Sequence, residues 1–171
     1  MSPLKLILVI TAALAAGSAP AQEPAKPPPF DAGNYPSGVR KALRYANDEC
    51  TRQGGGAVSF APDTVRKLDL TGDGRDYDDY IMDFRETVCA DREVAYCGTG
   101  GCRLDILVTL PNGKIRSVFS DCVRAYEILA GEVARIIRFE LHGSYCGGHG
   151  NPSCIKEYRI TAKPFEFKMP K

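Results

Sequence analysis

The chain has no surplus of either charge, no apolar run long enough to cross a bilayer and little histidine, and each shortage removes a class of function. Lysine and arginine number 22 against 21 aspartates and glutamates, a formal net charge of +1. Binding nucleic acid or an anionic membrane surface draws on a basic excess, so neither partner is expected. A membrane-spanning helix takes about 20 apolar residues. The longest candidate, Leu6 to Ala16, falls short of that. Only His142 and His149 could serve as imidazole bases. Nucleophilic catalysis needs a base within reach and a third group to orient it, which the neighbours Ser144 and Ser153 do not by themselves supply. No nucleophile-elbow pattern is present either. There is no internal repeat.

What the first residues do offer is an address. Met1 to Ala21 reads as a secretory signal, with Lys5 as the positive start, Leu6 to Ala16 as the apolar stretch and Ala19-Pro20-Ala21 as the cleavage site. Gln22 is the expected mature N-terminus, and no cysteine stands beside it to take a lipid anchor. The 150 of 171 residues that follow suit one domain. A domain of that size buries about 68 to 70% of its unfolded surface. Once Lys5 is removed, 21 basic residues face 21 acidic ones, so the mature chain is near neutral. A periplasmic or secreted monomer is expected.

All seven cysteines, at positions 50, 89, 97, 102, 122, 146 and 154, lie in the exported part. An oxidising compartment makes disulfides the default there. One cysteine must be left over, and the possible arrangements number 105. Local spacing favours Cys146 with Cys154 and Cys97 with Cys102.

Residues 22–36 hold Pro24, Pro27, Pro28 and Pro29 among few apolar residues, which predicts a disordered, extended arm. A single disulfide-containing β-rich domain is expected over 37–171. From Ser37, the apolar residues Val39, Ala42, Leu43, Ala46 and Cys50 recur every three or four positions, the period of one helical face. Gly54-Gly55-Gly56 ends the helix, and Cys50 on its buried stripe would tether it to whatever it packs against. Beyond Val58 the pattern shifts to period two, broken by Gly, Pro, Asn and Asp, which reads as strands and turns. Leu104 to Leu110, the turn Pro111-Asn112-Gly113 and Lys114 to Phe119 make a hairpin. Further strands are expected at Val133 to His142, Cys154 to Ala162 and Phe165 to Met169. The fold class is α+β, mainly antiparallel β, with one N-terminal helix packed on a small antiparallel sheet.

One stretch names a metal. In Asp69-Leu70-Thr71-Gly72-Asp73-Gly74-Arg75, oxygen-bearing side chains recur at every second residue and a glycine follows the third. Calcium takes six to eight oxygens at about 2.3 to 2.6 Å, which such a loop can present locally. In the EF-hand scheme Asp69, Thr71 and Asp73 fall at positions 1, 3 and 5, and Arg75 lends its backbone carbonyl at position 7. Position 12 is Tyr80, where a bidentate Glu is needed, and the flanks read as strands. A strand, D-x-[TN]-G-D-G, another Asp and an apolar strand resemble instead the calcium loop of FG-GAP and VCBS repeats. That resemblance implies Asp69, Thr71, Asp73 and, across a two-residue insertion, Asp79 as ligands. The wider chain, with Cys50, Cys97-Gly-Thr-Gly-Gly-Cys102 and His142-Gly-Ser-Tyr-Cys146, resembles a group of uncharacterised small exported bacterial proteins. It implies location and fold and brings no activity.

A polar turn without any metal is the plainer reading, since Asp, Gly and Thr favour turns. Against it, Asp69 to Asp83 holds six aspartates and one arginine in an otherwise balanced domain. Such crowding favours a screening cation.

The spacing H-x3-C-x2-H-x4-C at His142, Cys146, His149 and Cys154 could hold tetrahedral zinc. Export favours a disulfide there instead. Gly98-Thr99-Gly100-Gly101 lacks the Lys-Ser/Thr ending of a phosphate loop and reads as a turn between two cysteines. The leading expectation is an exported, non-catalytic calcium-binding domain that binds a protein or glycan in the envelope. The alternatives are a small calcium-dependent hydrolase using His142 or His149, and an inhibitor of a secreted enzyme.

Overall fold

The stripe Val39, Leu43, Ala46 and Cys50 becomes the buried face of α1 (Ser37–Arg52). The computed structural model describes residues 32–74, 78–90, 96–131, 134–148, 152–160 and 167–168. No side chain caps the first turn of α1; Pro36 stands there, and its carbonyl accepts the Arg40 N–H at 3.0 Å. Ahead of it Ala32–Asn34 form a 3-10 turn, and Ala32 and Tyr35 pack against the core. The folded unit therefore starts inside the segment expected to be a disordered arm, because these two side chains find apolar partners. Residues 1–31, which include the leader and the rest of that arm, lie outside the described residues.

Eleven strands follow among the described residues: β1 (Val58–Ser59), β2 (Val65–Leu68), β3 (Asp79–Asp83), β4 (Val88–Cys89), β5 (Cys97–Gly98), β6 (Gly101–Thr109), β7 (Ile115–Val123), β8 (Ala125–Leu129), β9 (Ile136–His142), β10 (Ser153–Ile160) and β11 (Phe167–Lys168). Their pairings are antiparallel. Mostly antiparallel β with one helix is thus the architecture, but the single small sheet expected from sequence is replaced by three. One has five strands, with β6 between β3 and β7, β2 outside β3, and β5 pairing the start of β6. A second has the order β11-β10-β9-β8, and β1 with β4 forms a two-stranded ribbon.

The five-stranded sheet is the middle of three layers. From β6, Leu104, Ile106 and Val108 point to one side, where they meet Ile137, Phe139 and Leu141 of β9. Leu107 points to the other, with Tyr80 and Met82 of β3, into the face covered by Val39, Leu43 and Ala46 of α1. Burial on both faces is why β3 and β6 read as nearly continuous apolar runs, whereas β9, buried on one face, alternates. The β6–β7 hairpin turns through Leu110, whose carbonyl accepts the Gly113 N–H at 2.8 Å. Gly113 takes a φ of +76°, a conformation that costs other residues energy. Between β7 and β8 only Arg124 intervenes, and its N–H donates to the Glu140 carbonyl at 2.8 Å. One continuous stretch of chain thereby leaves the middle sheet and joins the outer one.

Candidate functional sites

The acidic loop joins β2 to β3, and its first aspartate organises it. The Asp69 carboxylate accepts the Gly72 N–H at 2.7 Å, while Gly72 and Gly74 adopt φ of +66° and +78° and curl the chain over it. Thr71 is buried at 1% exposure, and its hydroxyl has no hydrogen-bond partner among the described residues. Asp79 was the expected closing ligand, but its carboxylate serves the backbone. One oxygen accepts the N–H groups of Leu70 and Thr71 at 2.9 and 3.0 Å, and the other accepts that of Thr109 at 2.9 Å. Burial pushes the Asp79 carboxyl above its ordinary pKa, the three N–H donors pull it back, and Asp78 adds to the rise. Arg75 lies outside the described residues.

Among the described residues no three His, Cys, Asp or Glu side chains gather as a metal site. The donor set that remains in the loop is two carboxylates, Asp69 and Asp73, with the Thr71 hydroxyl between them in sequence. These hard oxygen donors suit calcium or magnesium and not a soft metal. No family model, curated protein or solved structure matches this chain. The loop's chemistry is therefore argued from its own geometry.

Three disulfides join Cys50 to Cys89, Cys97 to Cys102 and Cys146 to Cys154, so both pairings favoured from spacing are present. Cys50 fastens the buried stripe of α1 to β4. Cys97 and Cys102 stand opposite each other on β5 and β6, with Thr99 and Gly100 as the turn between them. Cys122 is the odd thiol. Burial, then Asp121, raise its pKa against the pull of Arg103. The disulfide at Cys146 and Cys154 takes both thiolates from the four-ligand zinc pattern, and His149 lies outside the described residues.

His142 caps the 3-10 turn Gly143–Cys146: its Nδ1 accepts the Ser144 N–H at 3.3 Å and lies 2.9 Å from the Ser144 hydroxyl. Among the described residues no carboxylate bonds to this imidazole. The nearest acid on its strand, Glu140, binds the Ser153 hydroxyl at 2.5 Å instead. The contacts of His142 among the described residues are those of a local cap.

Two hollows stand out on the described surface. A cleft of about 480 Å³ opens between β2 and β8, lined by Asp63, Arg66, Asp83, Arg85 and Tyr126, where Arg66 donates to the Tyr126 hydroxyl at 2.7 Å. A groove of about 370 Å³ runs between α1 and strands β6 and β7. Its floor carries the Arg103 and Asp105 pair, Nε to Oδ1 at 3.1 Å and Nη2 to Oδ2 at 2.9 Å. The sequence reading missed both hollows, because their walls come from elements far apart in the chain. Asp105, a lone carboxylate within the apolar run of β6, was the one local signal.

Proposed function

We propose that the chain is an exported, non-catalytic calcium-binding domain, stiffened by disulfides, that engages a protein or glycan in the envelope. The observation that carries the calcium reading is the Thr71 hydroxyl, buried without a partner at the second ligand position of the D-x-T-G-D-G loop. A buried acceptor left unbonded costs stability, and a cation facing it would remove that cost. Asp69, Thr71 and Asp73 would supply side-chain oxygens, and the EF-hand spacing assigns a carbonyl to Arg75, which lies outside the described residues. Asp79 holds the loop backbone in place from beneath. Supporting export are the leader at Met1 to Ala21 and three disulfides, which persist in oxidising compartments. No described helix is long and apolar enough to cross a membrane.

Extracellular-type sites bind calcium at about 10⁻⁴ to 10⁻³ M. Calcium at about 1 mM would then stabilise the fold by about 0.4 to 1.4 kcal/mol through mass action. The test is a pair of thermal melts, one with chelator and one with millimolar calcium, alongside isothermal titration. A rise of several degrees with calcium that is lost in Asp69→Asn and in Asp73→Asn supports the reading. Superimposable melts together with no heat of binding end it.

A further inference from the structure

We infer that the groove between α1 and strands β6 and β7 is a binding site for a small apolar carboxylate, with Arg103 as its anchor. The groove follows α1 for two turns, from Gly38 to Tyr45, and β6 from Leu107 back to Arg103. Its Gly38 end is closed. A Cβ built on Gly38 would lie 2.7 Å from that of Ile115, so helix and strand already touch there.

The middle is apolar, with Ala42 on the helix wall and Leu107 and Ile115 below. The far end is charged and rigid. Asp105, at 3% exposure, grips the Nε and Nη2 edge of Arg103, and the Ser120 hydroxyl donates to the same carboxylate at 2.7 Å. The rings of Tyr45 and Phe84 lie 5.0 and 5.4 Å from the guanidinium carbon.

An ion pair at a helix–sheet interface is seldom more stabilising than an apolar pair of the same size, so stability alone does not account for it. What the arrangement achieves is orientation. With one edge held by Asp105 and aromatic rings beside the cation, the Nη1 hydrogens have no hydrogen-bond partner among the described residues. They belong to a preformed fork that matches a carboxylate. Lys41 on the exposed helix side adds a second cation, leaving the groove net positive although Asp105 neutralises one charge. An anionic head at Arg103 with a short hydrocarbon body over Leu107 and Ile115 satisfies both ends. The site shares no residue with the loop from Asp69 to Asp79, so it stands or falls apart from calcium binding.

The experiment is a titration of the isotopically labelled, oxidised protein with hexanoate and, separately, with hexanamide, followed by amide chemical shifts. Hexanoate should move the amides of Ala42, Leu107 and Ser117 saturably. The neutral amide should bind at least about tenfold more weakly, because it forfeits the charge-assisted bonds. Lys41→Glu, an exposed change that leaves the fold intact, should weaken hexanoate by about two- to fivefold. Arg103→Lys keeps the charge without the fork and should weaken it further; where that variant does not fold, the comparison of acid with amide decides alone. Equal binding of acid and amide, absence of saturation, or tighter binding by a peptide with a free C-terminus than by any small acid would overturn the proposal.

Discussion

Asp79 holds more of the loop together than any ligand role would ask of it. Three backbone N–H groups from two separate segments converge on one buried carboxylate, which pins the loop after β2 to the end of β6. Replacing it by asparagine keeps the shape but turns an amide NH₂ towards an N–H donor, leaving at least one buried donor unsatisfied. Asp79→Asn should therefore lower the unfolding free energy by about 1 to 3 kcal/mol in a urea titration, with calcium absent. Asp69→Asn, whose contact is local and exposed, should cost well under half of that. Equal losses would mean that Asp79 has no special bracing role. Spacing singled out Asp79 but not its partners, since Thr109 lies thirty residues on and meets it only when β3 and β6 pair. Thr71→Val gives the complementary result. The unpartnered hydroxyl becomes a methyl of similar size, so stability in chelator should hold or rise slightly, while the shift on adding calcium shrinks.

Helix α1 sets local propensity against packing at Gly38. Alanine is the better helix former by about 1 kcal/mol, which alone predicts a more stable protein. The Cβ would meet Ile115 at 2.7 Å, and overpacking costs about 1 to 3 kcal/mol. Gly38→Ala should therefore destabilise the domain, and a raised melting temperature would refute the tight helix–strand contact. The disulfides rank by the chain they enclose. Cys50 and Cys89 lie 39 residues apart and Cys97 and Cys102 five apart. The chain-entropy relation assigns about 4 kcal/mol to the first and about 2 kcal/mol to the second. Double Cys→Ala variants should follow that order in urea midpoint. The elements legible in the sequence were α1, the β6–β7 hairpin and β9 from their own period, the strands β2 and β3 flanking the acidic loop, and the late strands β10 and β11. Strand β8 was not, because its residues Ala125–Leu129 give only five positions with no turn before them. The corner at Arg124 carries neither Gly nor Pro, so nothing local announced that the chain changes sheets there.

Sandwiching the middle sheet between helix and second sheet buries the phenols of Tyr80 and Tyr96 as well as aliphatic groups and half-buries those of Tyr126 and Tyr158, and this gives the molecule an alkaline limit. Tyr80, Tyr96, Tyr126, Tyr145 and Tyr158 all have raised pKa values, with burial the leading cause in each. Tyr145, 39% exposed in the 3-10 turn, is pushed up to about 12 with help from its hydrogen bond to Asp121 and the charge of that carboxylate, but solvent screens it, so the buried phenols set the limit. Unfolded tyrosine ionises near 10. A phenol that keeps its proton longer in the folded state contributes stability that is fully present below the unfolded pKa and is lost as pH climbs towards the folded one. The urea midpoint should therefore be level up to about pH 9.5 and fall from there to about 12. Tyr80→Phe, which removes a phenol only 5% exposed, should make the fall shallower. The chain has eight tyrosines and no tryptophan, so phenolate absorbance reports their ionisation without overlap. In the native protein that absorbance should rise in two stages, exposed phenols first and buried ones as the fold opens. A single early stage near 10, with a midpoint that stays level beyond it, would mean that the phenols are solvated and that the layers pack less closely than this arrangement requires.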